Sequence, residues 1–385
     1  MRLTFISNFL NHHQLPICNE FYNLLGDNFK FVACEKVPED RISMGYKKEF
    51  DVNYLIDGTI KENVLETLYN SDVLIAGSCP YEYMKIFIDA EKPFFLYAER
   101  MFKNGTWHKY SPLARYNMHN LYNKVFNDNM YLLCSSAYTA SDFNDFNSFK
   151  NHYLKWGYFP ALSKFSYKKI KENKIKNSII WVGRLLDWKH PEQAVLLAKF
   201  LKDYNIDFKL TMIGGSGNYK NKIDKLINNH KLNNDITLLS NLHFTEVRRL
   251  MEESEIFIFT SDFNEGWGAV LNEAMSSACA CVASYKAGSV PFLLNKSNGQ
   301  IYNSRQDDLN NKVLKYIRNK ALLDKHSKEA YDTITNLWNY KVAANNFIKF
   351  ASDLYNKKNP TPSSIGPVSK AKIITNKMGK ELITE

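Results

Sequence analysis

Two glutamates, Glu265 and Glu273, lie eight residues apart in a stretch that combines carboxylates with glycines. The stretch is IFIFTSDFNEGWGAVLNEAMSSACACVAS (256–284), which predicts a buried strand, a loop with two glycines around a tryptophan, a short helix and another buried strand. Backbone amides of a glycine loop at a helix N-terminus can hold an anionic group. A carboxylate one to two turns into the helix can hold a neighbouring ribose diol. The pattern therefore suggests a nucleotide-sugar site.

Two cations follow an earlier predicted strand in the same half of the chain. Arg184 comes directly after Gly183, and Lys189 stands five residues after the arginine, just before a helix that starts with proline. Two cations of flexible reach suit a diphosphate, and arginine adds bidentate geometry. The alternative is a pair of surface cations in a loop, and the pair taken alone favours that alternative.

Two further strand ends carry weaker signals. Gly214-Gly215-Ser216-Gly217 lets a backbone approach a ligand or simply makes a tight turn. It is neither a Walker loop nor a dinucleotide fingerprint. The segment SNLHF (240–244) follows the next strand, where a nucleotide base could meet the backbone.

The C-terminal half alternates short apolar runs with segments of helical periodicity. The runs predict strands at 178–183, 207–214, 235–240, 255–261 and 279–284, and the segments between them predict helices at 191–204, 221–232, 245–254 and 268–278. This alternation indicates a doubly wound parallel sheet, covered on both faces because its strands are almost wholly apolar. Such sheets bind ligands at the carboxyl ends of their strands. The glutamates, cations and glycines all follow strands in this way.

The N-terminal half repeats the pattern less regularly. It predicts strands at 2–8, 29–34, 72–77, 93–99 and 130–135, and helices at 17–25, 60–70, 82–90, 115–126 and 139–146. We expect an N-terminal domain over 1–162, a lysine-rich linker over 163–177, a second domain over 178–336, a helix over 337–357 and a loosely ordered tail over 358–385.

Composition limits the classes of protein. A chain of 385 residues with 45% hydrophobic and 14% aromatic residues can fill two cores and is not a disordered chain. No apolar run approaches the roughly 20 residues of a membrane-spanning helix, and the N-terminus lacks a signal-peptide pattern. We therefore expect a cytoplasmic protein. The six cysteines have no metal-ligand spacing and are expected to be small buried hydrophobic residues.

The net charge of +10 suggests an anionic partner, such as nucleic acid, an anionic membrane or a phosphorylated substrate. The cluster SKFSYKKIKENKIKNS (163–178) predicts a solvated linker. No zinc-finger, RRM or helix-turn-helix signature accompanies it, so nucleic acid ranks last among these partners and is not expected.

Taken together, these residues resemble the family 4 retaining glycosyltransferases of the GT-B fold. The resemblance rests on Gly183-Arg184 with Lys189, and more heavily on Glu265-Gly266-Trp267-Gly268 followed by Glu273, the family's E-x7-E pattern. Tryptophan stands where phenylalanine is commoner. Asn298-Gly299 looks like the family's downstream glycine turn. The match covers roughly 178–303, about the size of one domain.

The resemblance implies roles for these residues. Arg184 and Lys189 would neutralise the donor diphosphate and stabilise the leaving nucleoside diphosphate. Glu273 would bind the ribose hydroxyls, and Glu265 the hydroxyls of the transferred sugar. The implied donor-binding residues of the cradle are Gly183, Gly215, Gly266, Trp267, Gly268, Ala269, Val270 and Glu273. No metal and no cofactor besides the nucleotide diphosphate sugar is implied.

The N-terminal domain fits the family less well. Its first strand ends in Asn11, His12 and His13 instead of the family's glycine-rich loop. These side chains would touch donor or acceptor, or the histidines would cap the first helix. Glu99 and Arg100 stand where members often carry a histidine. Arg100 would meet an anionic acceptor, or the two residues belong to an ion pair at the strand end.

The resemblance implies two Rossmann-like doubly wound domains facing across a cleft, with the last helix packing back on the N-terminal domain. We expect a retaining glycosyltransferase that moves a sugar onto a saccharide or lipid-linked saccharide, in capsule- or lipopolysaccharide-type synthesis. The basic charge adds the inner face of the cytoplasmic membrane as a peripheral site. The alternatives are a non-catalytic sugar-nucleotide-binding module and a GT-B epimerase or phosphorylase.

Overall fold

The computed structural model describes residues 1–43, 47–214, 217–240 and 242–381, which form two compact units. The first unit comprises Met1–Ala161 together with Trp338–Ile374. The second comprises Leu162–Leu337 and the segment that begins at Thr375. Each unit is built on one parallel sheet.

The first unit contains a seven-stranded sheet in the order β3-β2-β1-β4-β5-β6-β7. Its strands are β1 Leu3–Ser7, β2 Phe29–Ala33, β3 Leu55–Asp57, β4 Val73–Ala76, β5 Phe94–Ala98, β6 Met130–Cys134 and β7 Tyr153–Lys155. The helices that precede β7 are α1 Leu15–Leu25, α2 Glu39–Ser43, α3 Lys61–Tyr69, α4 Tyr81–Asp89, α5 Pro112–Met118 and α6 Thr139–Asn144. A π-helical turn at His119–Asn123 extends α5, where the sequence predicts one continuous helix.

The second unit contains a six-stranded sheet in the order β10-β9-β8-β11-β12-β13. Its strands are β8 Ile175–Val182, β9 Lys209–Ile213, β10 Ile236–Leu239, β11 Ser254–Phe259, β12 Ala280–Ser284 and β13 Gln300–Tyr302. Its helices are α7 Tyr167–Glu172, α8 Pro191–Asp203, α9 Lys220–Asn229, α10 Phe244–Glu253, α11 Val270–Ser276, α12 Val290–Leu293, α13 Gln306–Arg318 and α14 Lys320–Asn336. Every strand pair in both sheets is parallel. The predicted doubly wound α/β architecture is confirmed.

In each sheet, the order in which successive strands are added reverses next to the unit's first strand. In the second unit, β8 pairs with β9 on one side and with β11 on the other, so its carboxyl end lies at the topological switch point. All six residues of β11 and all five of β12 are buried. Burial on both faces explains why these strands are apolar throughout instead of alternating.

The last long helix, α15 Tyr340–Tyr355, belongs to the first unit. Asn339 caps it by accepting hydrogen bonds from the amides of Lys341 and Val342, each at 3.0 Å. Phe347 on its buried face contacts Phe95 of β5, with ring centroids 4.7 Å apart. The helix thus completes the core of a unit whose other elements lie more than 180 residues earlier.

Two segments that the sequence predicts to be a solvated linker and a loose tail are ordered in the structure. The stretch predicted as a linker, 163–177, contains α7 and the start of β8, because its apolar Ile170 is buried under the second unit. The stretch predicted as a loose tail buries Val368 and Ala371, and Ala371 donates a backbone hydrogen bond of 2.9 Å to Tyr153. A final helix, α16 Asn376–Glu381, lies in the second unit.

Candidate active site

Loops at the switch point of the second unit hold the predicted catalytic residues. The loop after β8 carries Arg184 and Lys189, and the loop after β11 carries Glu265. Because β8 and β11 are neighbours in the sheet, residues 76 positions apart in sequence meet at one edge. The sheet therefore brings Lys189 and Glu265 together.

Lys189 and Glu265 form a nearly buried ion pair through the lysine Nζ and the Glu265 Oε2. Their side chains are only 13% and 10% exposed. Ser261 donates a further hydrogen bond of 2.8 Å to the same carboxylate oxygen. The carboxylate is thus held in one orientation, with a cation and a hydroxyl as its partners.

The backbone of the Lys189 loop is anchored to β11. The Thr260 hydroxyl donates to the Lys189 carbonyl at 2.5 Å and accepts from the Trp181 indole at 2.9 Å. Trp181 and Thr260 are both buried. These two hydrogen bonds fix the position of the Lys189 backbone relative to β8 and β11. The sequence predicts Trp181 and Thr260 only as parts of strands and does not indicate the bonds between them.

His190, which directly follows Lys189, joins the same two loops. Its Nε2 lies 3.3 Å from Asp262 Oδ2 and its Nδ1 lies 3.0 Å from Glu192 Oε1. The hydrogen bonds to Asp262 and Glu192 raise the pKa of His190 to about 9, so the ring is a cation at neutral pH. Burial opposes ionisation of Asp262, but the bonds from His190 and Asn264 together hold the pKa of its carboxyl below the ordinary value.

Arg184 differs from Lys189 in its surroundings. Its side chain is half-buried and forms no ion pair with any residue in the described part of the chain. The Arg184 carbonyl accepts a hydrogen bond of 2.8 Å from the Leu186 amide, which turns the loop. The guanidinium is therefore available to an anion.

Glycines beside this loop are required by close packing. A Cβ on Gly214 would lie 2.2 Å from the Gly183 carbonyl oxygen, and one on Gly217 would lie 2.0 Å from the Leu185 carbonyl oxygen. The ends of β8 and β9 thus approach each other too closely for any side chain. Gly215, predicted to bind donor, lies outside the described residues, as does Ser216.

The glycine loop that leads into α11 positions backbone amides. Gly268 has φ +84°, and a Cβ there would lie 2.4 Å from the Phe259 ring. No described residue accepts a hydrogen bond from the amides of Ala269 or Val270, so these amides suit the predicted cradle after Gly266. The Trp267 side chain is fully buried and its indole donates to Asn272 at 2.8 Å. Trp267, predicted to bind donor, therefore packs in the core of the second unit.

Glu273 lies in α11 with 21% of its side chain exposed. Arg248 of α10 lies 3.9 Å from its carboxylate and donates to the Glu273 carbonyl at 2.9 Å. The arginine also donates to Ser276. Sequence reasoning missed Arg248, because residues 245–254 predict only a surface helix. Nothing in the sequence indicates that Arg248, and not the adjacent Arg249, faces α11.

In the first unit, the loop after β1 is a turn organised by Asn11. The Asn11 side chain accepts hydrogen bonds from the amides of His13 at 3.0 Å and Gln14 at 3.2 Å. The rings of His12 and His13 lie against each other, 3.9 Å between centroids, and both are half-exposed. Gln14 is the residue that precedes α1, and no side chain caps that helix by a hydrogen bond.

Arg100 is structural, which corrects the expectation that it meets an anionic acceptor. Its side chain is fully buried and pairs with Asp142 at 3.2 Å. Asp142 also accepts from the amides of Met101 and Phe102, so the pair fixes the chain after β5. The ion-pair alternative is the one observed, because a strand-end arginine beside a buried carboxylate cannot be left unpaired.

Glu99 is partly exposed and accepts hydrogen bonds from Lys103 at 2.6 Å and from the Tyr158 hydroxyl at 3.1 Å. Burial raises the pKa of Tyr158 well above its usual range. Sequence reasoning missed both partners, because Tyr158 lies 59 residues after Glu99 and no motif marks Lys103.

Within the described ranges, no group of three or more His, Cys, Asp or Glu side chains has a metal-binding arrangement. No helix in those same ranges is long and apolar enough to cross a membrane.

Two doubly wound parallel sheets in one chain are the architecture of the GT-B fold. Residues 163–333, which make up most of the second unit, match the family described as Glycosyl transferases group 1.

The uncharacterized glycosyltransferase MJ1069 of Methanocaldococcus jannaschii is 29% identical over 195 residues, which are 49% of this chain and 48% of that protein. The match thus spans about half the length of the curated relative.

Solved structures share the fold over most of the chain. HepE of Anabaena in complex with UDP has a TM-score of 0.67 at 14% identity, covering 92% of this chain and 100% of HepE. Sucrose-phosphate synthase of Thermosynechococcus elongatus has a TM-score of 0.64 at 12% identity, covering 92% of this chain and 99% of that one.

Proposed function

We propose that this protein is a retaining glycosyltransferase that uses a nucleotide diphosphate sugar. The observation that carries the proposal is the switch-point arrangement, in which Lys189 is paired with Glu265 while Arg184 makes no ion pair with a described residue. One cation is then ready to receive a diphosphate, and the other can be shared between the diphosphate and the carboxylate. The group 1 domain supports the same reaction class.

In the proposed reaction, the bond from sugar C1 to the diphosphate oxygen breaks and a bond from C1 to an acceptor hydroxyl oxygen forms on the same face. The acceptor proton passes to the departing phosphate oxygen. Arg184 and Lys189 stabilise the negative charge that develops there. Glu265 binds the sugar hydroxyls and Glu273 the ribose. No residue of the sequence stands out as a nucleophile, so we propose front-face transfer over a covalent intermediate.

The anomeric configuration of the product tests the mechanism. Proton NMR of the first turnover should give the coupling constant of the donor's own configuration at C1. An inverted product would overturn the retaining assignment while leaving the fold assignment intact.

A thermal-shift screen against UDP-, GDP-, ADP- and CMP-sugars identifies the donor, because the tightest ligand raises the melting temperature most. UDP-glucose is the first probe, since HepE was solved with UDP and glucose.

The acceptor we propose is a saccharide or lipid-linked saccharide of a surface glycan, and no metal is required. Binding without turnover on any acceptor pool would favour the binding-module alternative, and a changed sugar configuration without transfer would favour an epimerase.

We also propose peripheral association with an anionic membrane surface, through the aromatic–basic segment, defined as residues 101–124. This segment contains no acidic residue and four Lys or Arg. Trp107, Tyr110, Leu113 and Tyr116 recur at intervals of three and are 63–72% exposed. Aromatic rings and cations on one exposed segment are typical of binding at an anionic lipid interface.

Vesicle sedimentation tests the membrane proposal. The protein should sediment with vesicles containing phosphatidylserine at low salt, and the double substitution Trp107→Ser with Tyr110→Ser should weaken this. Tyr69→Ser with Tyr204→Ser is the matched control, because both rings are similarly exposed outside the segment. Equal binding of the two double variants, or none by the wild type, would argue for a soluble acceptor.

A further inference from the structure

His190 connects the two loops that carry the paired residues Lys189 and Glu265. It directly follows Lys189 in the loop after β8, and its Nε2 lies 3.3 Å from Asp262 in the loop after β11. Asp262 in turn shapes the Glu265 turn, because its carbonyl accepts from the Glu265 amide at 3.1 Å and its carboxylate from the Asn264 amide at 2.8 Å. The imidazole therefore touches the residue that sets the position of Glu265.

A second connection between the loops runs through the backbone. The Asp262 amide donates to the Trp188 carbonyl at 3.0 Å, one residue before Lys189. The His190 ring closes this connection from the other side, and Glu192 of α8 holds the remaining ring nitrogen at 3.0 Å. Both nitrogens of the ring are thus engaged by carboxylates from two different elements.

The backbone of His190 is left-handed, with φ 49° and ψ 50°. A glycine would adopt this conformation without the steric cost that a side chain brings. The histidine is therefore poorly suited to its backbone position and well suited to its side-chain contacts. This contrast indicates that the imidazole contributes something a turn residue alone would not.

We propose that His190 is a positioning residue whose contacts with Asp262 and Glu192 keep the side chains of Lys189 and Glu265 in contact at the switch point. The inference rests on the proposed function only in that this contact serves sugar transfer. The mechanical part, that His190 keeps the Lys189–Glu265 pair closed, concerns the protein without any substrate.

Competitive acetylation of the wild-type protein and of His190→Gly tests the mechanical part. Lys189 should react slowly with acetic anhydride in the wild type, because its amine is paired and its side chain is only 13% exposed. In His190→Gly, we expect its acetylation rate, read by mass spectrometry, to rise roughly tenfold, the equivalent of losing one charge-assisted hydrogen bond. Lys199, about 43% exposed on α8, provides the internal reference.

Lys231→Gly is the matched control, since Lys231 is exposed, also has a left-handed φ of 54°, and lies outside the site. It should leave Lys189 labelling unchanged. Asp262→Asn should reproduce the effect of His190→Gly, and the double variant should add little to either single one, because both remove the same contact. An unchanged Lys189 rate in His190→Gly, with the fold intact by circular dichroism, would overturn the proposal.

Turnover of the donor found in the thermal-shift screen separates this inference from the proposed function. If the contact between Lys189 and Glu265 serves sugar transfer, kcat of His190→Gly should fall by roughly one to two orders of magnitude, as expected for a small misplacement of reacting groups. Faster labelling with unchanged kcat would support the positioning of Lys189 and count against the proposed role of the pair in catalysis.

Discussion

Arg184 and Lys189 are five residues apart in one loop, yet their side chains have different partners. Lys189 neutralises a carboxylate that is almost buried, whereas Arg184 makes no ion pair with a described residue. Removing the arginine therefore leaves no buried charge behind, and removing the lysine does. The two substitutions should consequently differ in their effect on stability, although both should lower turnover.

Arg184→Ala should lower kcat by about two orders of magnitude, as loss of one transition-state charge contact does, and should change the free energy of unfolding by less than about 0.5 kcal/mol. Lys189→Ala should lower kcat and also destabilise the protein by about 2–4 kcal/mol, because Glu265 loses its cation. Steady-state kinetics and urea unfolding measure both effects. Arg305→Ala is the control, since that side chain is 74% exposed. Wild-type kinetics in Arg184→Ala would contradict the site.

The charge of His190 predicts a pH dependence of stability. Its pKa rises from the ordinary 6.5 to about 9 on folding, with Asp262 and Glu192 facing the ring and Lys189 next to it in the chain. A raised pKa stabilises the folded state fully below about pH 6.5, and this contribution is lost as pH rises through about 9.

His190→Gln removes this contribution. The difference in unfolding free energy between wild type and His190→Gln should therefore shrink by about 1–2 kcal/mol between pH 6.5 and 9.5, a value reduced because the ring is 32% exposed. Urea unfolding at a series of pH values measures it. A difference that stays constant over this range would show that the ring is not held as a cation.

At the scale of elements, the site depends on how closely β8 and β9 approach each other where they end. Gly214 donates its amide to the Leu239 carbonyl at 2.9 Å and lies against Gly183, which donates to the Ile213 carbonyl at 3.0 Å. These bonds set the level at which the Arg184 loop leaves the sheet. The glycine turn, weak evidence when taken alone, is therefore a packing requirement of the site.

Gly214→Ala should destabilise the protein by roughly 3 kcal/mol, because the new Cβ would lie 2.2 Å from a backbone oxygen that cannot move alone. It should also weaken the binding of the donor. Urea unfolding and calorimetry measure the two effects. Gly26→Ala is the control: nothing lies within 4 Å of the new Cβ, and the only cost comes from its positive φ of 57°, which Gly214 does not share. A cost of about 1 kcal/mol is expected there, and equal costs at both positions would contradict the packing argument.

At the scale of the whole molecule, the first unit is discontinuous in sequence. Its core includes α15, where Phe347 contacts Phe21 at 5.6 Å, Phe95 at 4.7 Å and Trp156 at 5.7 Å between ring centroids. In the sequence, residues Leu162–Leu337 of the second unit come between the two parts of the first. Integrity of the first unit therefore depends on residues that follow the group 1 domain.

A chain ending at Leu337 should leave the first unit without this core face while the second unit stays folded. Hydrogen exchange read by mass spectrometry should show loss of protection in β1 and β5 and retained protection in β8 and β11. A chain ending at Ile374 is the control, because it keeps every residue of the first unit. Full protection of β1 in the shorter chain would contradict the assignment of α15.

The long strands and helices of both units were predictable, because each contains enough apolar residues for its period to stand out. Three short strands were missed: β3, β7 and β13, of three residues each. Three residues are too few to establish alternation, and these strands form only because neighbouring strands offer unpaired backbone groups. The boundary near 162 followed from composition, but the helix within 163–177 did not, since lysines conceal its one buried face.

By itself, the sequence determined the two α/β halves, the E-x7-E spacing and the cations at strand ends, because local periodicity and motif spacing are properties of the chain. Only the tertiary structure decided that Lys189 pairs with Glu265, that Arg100 is buried against Asp142, and that His190 joins two loops 72 residues apart. Each of these depends on which strands are neighbours in the sheet. Strand order is set by packing over the whole unit, and no short stretch of sequence contains it.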